Sequence, residues 1–219
     1  YNMRFVGNPG TGKTTIARYM ARVFTALGII DHPNVKEYRG VDLKGSFVGQ
    51  TKDKVNEIFE NSSGYVVVID EIYSLCNSHN GQSDTFGQEA VDTLTGGITD
   101  LKNAATIFVI AGYKERMEDF LQCNPGLARR FPLEVNFPDY SNEECVLILK
   151  KMLSENGYVC PESAEFELRM GESFGNAGSV GGIFSAIENN ISNRVLQLND
   201  PTEDDLRQIK LSDLPDFEQ

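Results

Sequence analysis

Lys13 lies near the end of Gly7-Asn8-Pro9-Gly10-Thr11-Gly12-Lys13-Thr14, a run that fits the pattern G-x-x-x-x-G-K-S/T. Glycines at this spacing let successive backbone N–H groups turn inward and surround a phosphate. A helix starting after Lys13 adds the partial positive charge of its N-terminus. The Lys13 ammonium then reaches the outer phosphates of ATP, and the Thr14 hydroxyl becomes a ligand of Mg²⁺. The binding set runs through Asn8, Pro9, Gly10, Thr11, Gly12, Lys13, Thr14 and Thr15. The alternative is a chance match in an ordinary turn. Against it, the run falls between an apolar strand pattern and a helical one, where the mechanism requires it.

A second candidate is the acidic pair in Val66-Val67-Val68-Ile69-Asp70-Glu71. Four apolar residues followed by two carboxylates place those carboxylates at the end of a buried strand, the edge where open α/β sheets bind ligands. Asp70 would hold Mg²⁺, directly or through water. Glu71 would orient the attacking water or accept its proton. Read alone, the pair is also what a solvated acidic turn looks like. Its weight comes from coexisting with the phosphate loop.

These groups need elements to position them. Asn2 to Val6, Asn34 to Arg39, Tyr65 to Ile69, Thr106 to Ala111 and Leu133 to Phe137 read as strands. The apolar runs at 65–69 and 106–111 do not alternate, which predicts strands buried on both faces of a parallel sheet. Ile16, Met20, Val23, Phe24 and Leu27 recur at helical spacing, and Gly28 ends that helix. Thr51 to Asn61 is a second helix, and 78–87 is polar and Gly-containing, which predicts a loop. Strands alternating with helices imply an α/β fold with a five-stranded, mostly parallel sheet. After Pro138 the pattern turns helical. Ser141 and Glu144 form a capping-box signature, Pro161 to Ser173 is a helix candidate, and Val180, Phe184, Ile187, Ile191 and Val195 form the stripe of another. The expected division is 1–138 for the α/β core and 139–219 for a small α-helical unit.

The 219 residues carry a formal net charge of −12. An acidic surface repels phosphate backbones, so neither nucleic acid nor a membrane is an expected partner. The four cysteines, Cys76, Cys123, Cys145 and Cys160, include no C-x-x-C pair and no zinc-ligand spacing. They read as reduced thiols of a cytoplasmic protein. No apolar run is long enough to span a bilayer. The phosphate loop begins only six residues in, which is expected of a piece cut from a longer chain.

GNPGTGKTT, VVVIDE, IAGYKERM, NPGLARRF and FPDYSNEE together resemble the red-type rubisco activase (CbbX/CfxQ) family of AAA+ ATPases, and are similar to stage V sporulation protein K. The resemblance implies a P-loop NTPase αβα sandwich with a helical lid, a hexameric ring, and a protein substrate. It matches Phe47-Val48-Gly49 to the pore loop that grips that substrate; the alternative is a Phe47 folded back on the core. It places Tyr113 at the first sensor, unless that ring is simply packed. Arg129 and Arg130 fall where a neighbouring subunit's arginine finger is expected, with Arg130 favoured; a surface Arg pair is the other reading. The likeness fails at Gly178 and Gly181, where relatives carry arginines, the second serving as lid sensor, and at Ala128, where they tend to have another. This departure predicts slow hydrolysis, or hydrolysis that depends on neighbours.

Two functions therefore compete. One is an ATP-driven remodeller of proteins, working as a homo-oligomer or beside tandem AAA+ neighbours. The other is a nucleotide-gated regulatory or scaffold domain with weak or no hydrolysis. The Asp70–Glu71 pair favours the first, and the glycines at 178 and 181 favour the second.

Overall fold

The computed structural model describes residues 1–45, 47, 49–76, 84–100, 105–161 and 180–215. Five parallel strands form its sheet: β1 (Met3–Gly7), β2 (Val35–Arg39), β3 (Val66–Asp70), β4 (Ile107–Gly112) and β5 (Leu133–Phe137), in the spatial order β2-β3-β4-β1-β5. Burial explains that order. β4 is buried along its whole length and β3 along Val66–Ile69, so they are central. β2 and β5 carry Lys36, Glu37, Arg39, Glu134 and Asn136, and these polar edges resist pairing with another chain.

Alternate residues of the central strands feed two cores. Val66, Val68, Val109 and Ala111 pack with Ala17 and Ala21 of α1 (Lys13–Ala26). Val67, Ile69, Phe108 and Ile110 face the other way, against α2 (Gln50–Asn61), α3 (Thr85–Gly97) and α4 (Lys114–Cys123). Both faces are covered, which is why these strands read as unbroken apolar runs. A short α5 (Pro125–Ala128) follows α4.

The structure corrects several expectations. In α1 the buried residues are Ala17 and Ala21, whereas Ile16, Val23 and Leu27 are exposed. Small side chains let the helix lie close to the sheet, Met20 and Phe24 pack partly buried beside them, and the rest of the stripe is turned outward. The loop expected over 78–87 has ended by Asp84, whose carboxylate caps α3 by accepting the Gly87 N–H at 2.8 Å; residues 77–83 lie outside the described residues. Neither α3 nor α4 was anticipated. Glycines 87, 96 and 97 depress the helical signal of α3, and charged residues dominate α4. The helix expected over 161–173 lies almost wholly outside the described residues.

Residues Tyr1–Pro138 and Asp139–Gln219 are separate compact units. The second holds α6 (Asn142–Glu155), α7 (Val180–Leu196) and α8 (Glu203–Arg207). The capping box at its entry is formed: the Ser141 N–H donates to Glu144 Oε2 at 2.8 Å, and the Glu144 N–H donates to Ser141 Oγ at 3.3 Å. Cys145, Leu149 and Leu153 pack on Ile183, Ile187 and Ile191. Arg194 pairs with the buried Asp213 at 2.7 Å, tying α7 to the last described turn.

Candidate nucleotide site

The phosphate loop connects β1 to α1 and turns on Gly10 (φ 79°) and Gly12 (φ 89°), both in the left-handed region that a side chain disfavours. Gly12 is the N-cap of α1. No side chain caps this helix and no acidic residue stands in its first turn, so its leading N–H groups face the loop. Thr11 Oγ1 donates to the Asn8 carbonyl at 2.7 Å and braces the turn. The Lys13 ammonium donates to the carbonyl oxygens of Gly7 at 3.0 Å and Asn8 at 2.7 Å, so its charge lies within the loop. Burial lowers the Lys13 pKa, and the Asp70 carboxylate opposes that shift. Thr14 is half-buried on the first turn of α1, while Thr15 is exposed.

Strand order brings the acidic pair to this loop. β4 lies between β1 and β3, with Val6 opposite Gly112 and Asp70 opposite Ala111. The phosphate loop, the acidic pair and Tyr113 therefore leave the same edge of the sheet at the ends of three adjacent strands. Asp70 accepts the Glu71 N–H through Oδ1 at 2.9 Å. Glu71 itself has φ 49°, the only non-glycine residue among those described in the left-handed region. Such a conformation is costly for a side chain and collects at functional sites. It turns Glu71 out of the strand while the next residues begin a buried 3₁₀ turn, Ile72–Cys76.

A cleft of about 480 Å³ opens there, lined by Asn8, Glu71, Tyr113, Lys114, Glu115 and Arg116. Tyr113 is half-buried and packs against the core, and its ring centre lies 6.4 Å from that of Tyr73. Burial pushes the Tyr73 phenol up; the Glu71 carboxylate adds to that shift and Arg116 counters it. Lys114 and Arg116 were not singled out from the sequence. Their positions one and three residues after Tyr113 were the available signal, because the first turn of a helix that starts at a strand end overhangs the ligand edge.

The remaining candidates lie elsewhere. Phe47 is 69% exposed, Gly49 is the N-cap of α2 with φ 90°, and Val48 lies outside the described residues. Arg129 is exposed. Arg130 is half-buried, its Nε donating to the Thr95 carbonyl at 3.2 Å and its Nη1 to the Gly126 carbonyl at 2.7 Å. Gly181 is exposed on the first turn of α7, and Gly178 lies outside the described residues. Among the described residues no cluster of His, Cys, Asp and Glu forms a separate metal site, and no helix is long and apolar enough to cross a membrane.

Residues 3–139 match the ATPase family associated with various cellular activities (AAA), and residues 141–219 match the AAA lid domain. The chain belongs to the AAA family of ATPases. Its AAA relatives include stage V sporulation protein K of Bacillus subtilis, 40% identical over 77% of this chain and 51% of that protein. The chloroplastic ribulose bisphosphate carboxylase/oxygenase activase of Cyanidioschyzon merolae is 40% identical over 75% of this chain and 55% of its own length. The CfxQ homolog of Guillardia theta is 35% identical over 97% of this chain and 75% of that protein. The chain thus spans about half the length of the first two. The residues at the AAA site suit a magnesium nucleoside triphosphate: a glycine-turned loop, an uncapped helix start, the Lys13 ammonium, and two carboxylates at the neighbouring strand end.

Proposed function

We propose that this chain binds Mg·ATP, hydrolyses it, and uses the cycle to remodel a protein substrate as one subunit of a hexameric ring. The observation that carries the nucleotide part is the insertion of β4 between β1 and β3, which sets Lys13, Asp70 and Glu71 around one strand edge. In this reading Lys13 and the loop amides hold the phosphates, and Thr14 and Asp70 hold Mg²⁺. The metal would neutralise charge on the phosphates, while Glu71 orients the attacking water. Tyr113, at the end of the intervening strand, orders that water from the other side.

The remodelling part draws on Phe47. An aromatic side chain 69% exposed, beside Gly45 and Gly49, suits a grip on extended polypeptide. The ring part draws on the cleft's need for a further guanidinium, which Arg129 or Arg130 of a neighbouring subunit would supply and which is worth on the order of 10³–10⁵ in rate. The net charge of −12 suits a protein client better than nucleic acid or an anionic membrane, and Cys76, Cys145 and Cys160, none of them in a disulfide, suit the reducing cytoplasm.

Calorimetry of Mg·ATP on the wild-type chain and on Lys13→Ala tests the nucleotide part, with binding expected only for the former. Specific ATPase activity measured against protein concentration tests the ring: it rises with assembly if the guanidinium comes from a neighbour, and stays flat if each subunit works alone. Phe47→Ala should abolish stimulation by an unfolded protein while sparing basal turnover.

A further inference from the structure

We infer that Arg116 reads the outermost phosphate of ATP from within the same chain, so that the cleft distinguishes ATP from ADP. This rests on the nucleotide reading above and adds a specificity residue to it.

Arg116 is the third residue of α4, and it lines the same cleft as Asn8 of the phosphate loop and Glu71. Its guanidinium carbon lies 5.4 Å from the Tyr73 ring centre and 5.7 Å from that of Tyr113. Cation–π contact with two aromatic rings restrains a long side chain without using up its N–H donors. No ion pair joins Arg116 to a carboxylate among the described residues. Arg116 is therefore a positioned cation beside an anion-binding loop, with no paired carboxylate among the described residues.

Charge balance gives it a task. A triphosphate entering the cleft meets the carboxylates of Glu71 and Glu115, and Lys13 is held on the loop side by the carbonyls of Gly7 and Asn8. The outermost phosphate is the one that must approach Glu71, so the carboxylate repels it unless a cation stands on the same wall. A guanidinium can fork onto two phosphate oxygens. ADP lacks that phosphate, so the contact favours the triphosphate alone.

The test is calorimetry on the whole chain with two probes, Mg·ADP and Mg²⁺ with the β,γ-imido analogue of ATP. Arg116→Met keeps the aliphatic stem against Tyr73 and Tyr113 and removes the charge. It should weaken the triphosphate analogue by about tenfold or more, the worth of one hydrogen-bonded charge contact, and leave Mg·ADP unchanged. Arg116→Lys should fall between, since it keeps a charge without the fork. Equal loss for both nucleotides, no loss for either, or the same selective loss from Lys114→Met in place of Arg116→Met would overturn the assignment. Failure of the wild-type chain to bind either probe would instead sink the nucleotide reading beneath it.

Discussion

Lys44 and Asp84, 40 positions apart in sequence, form a half-buried ion pair that ties the segment bearing Phe47 to the start of α3. Two bonds from α2 brace the Lys44 end of the tie. Lys54 Nζ donates to the Lys44 carbonyl at 2.8 Å, and the Gly45 N–H donates to Thr51 Oγ1 at 3.0 Å. Burial alone would raise the Asp84 pKa, but the Lys44 hydrogen bond and the Gly87 amide outweigh it and hold the carboxyl below its ordinary value. A folded pKa below the unfolded one stabilises the protein fully above the unfolded value, about 4. That contribution is lost as the pH falls through the folded value. Lys44→Met should remove most of this acid sensitivity, while Asp84→Ala also loses the helix cap, at a further cost of about 1 kcal/mol. Urea unfolding at neutral and acidic pH measures both. Equal acid sensitivity in wild type and Lys44→Met would show that the pair is not what holds Asp84 ionised.

Lys13 and Glu71 should separate binding from turnover. Lys13→Ala is expected to weaken Mg·ATP by at least about a hundredfold, the worth of roughly 3 kcal/mol of charge-assisted contact. Glu71→Gln should bind as the wild type does and lose turnover by about 10²–10⁴. Calorimetry paired with a phosphate-release assay distinguishes them, and a Glu71→Gln protein that still turns over would remove Glu71 from its assigned role.

Gly40 supports the strained Glu71 backbone. A Cβ at position 40 would come within 2.5 Å of Ser74 Oγ and 2.7 Å of the Glu71 carbonyl oxygen. Gly40→Ala must therefore move the segment that aims Glu71. The expected result is a lower kcat with nucleotide affinity retained. Unchanged kcat would mean that the Glu71 conformation does not matter to hydrolysis.

The two arginines after α5 should behave differently on their own subunit. Arg130 braces α3 and α5 through the Thr95 and Gly126 carbonyls, so Arg130→Ala should cost about 1–2 kcal/mol of stability. Arg129 is exposed, and Arg129→Ala should leave the melting temperature unchanged. Mixing each variant with the Lys13→Ala protein and following ATPase activity shows which arginine acts on a neighbour. The one that does will lose activity alone and regain it in the mixture.

Gly181 and Gly182 stand on the first turn of α7, and a Cβ on either would meet nothing within 4 Å. Alanine there should stabilise the lid by up to about 1 kcal/mol per site through helix propensity alone. Thermal unfolding reads this directly, and a loss of stability would show that these positions need glycine for their backbone.

Legibility in the sequence followed the range of the interactions. The phosphate loop, the acidic pair, the capping box at Ser141 and the five strands were all readable, because each is a contiguous run whose chemistry is complete within a few residues. The strand bounds shift by a residue, as at Met3–Gly7 and Val66–Asp70. What tertiary structure decided was which of these runs meet. Strand order set Lys13 beside Asp70, Glu71 and Tyr113, and close approach to the sheet buried Ala17 and Ala21 while leaving Ile16, Val23 and Leu27 outside. Folding also brought Lys44 to Asp84, and Arg116 onto the rings of Tyr73 and Tyr113. Local pattern specifies what an element is, because propensity and periodicity act over one or two turns. Pairing between distant elements is settled only when their surfaces compete for the same core.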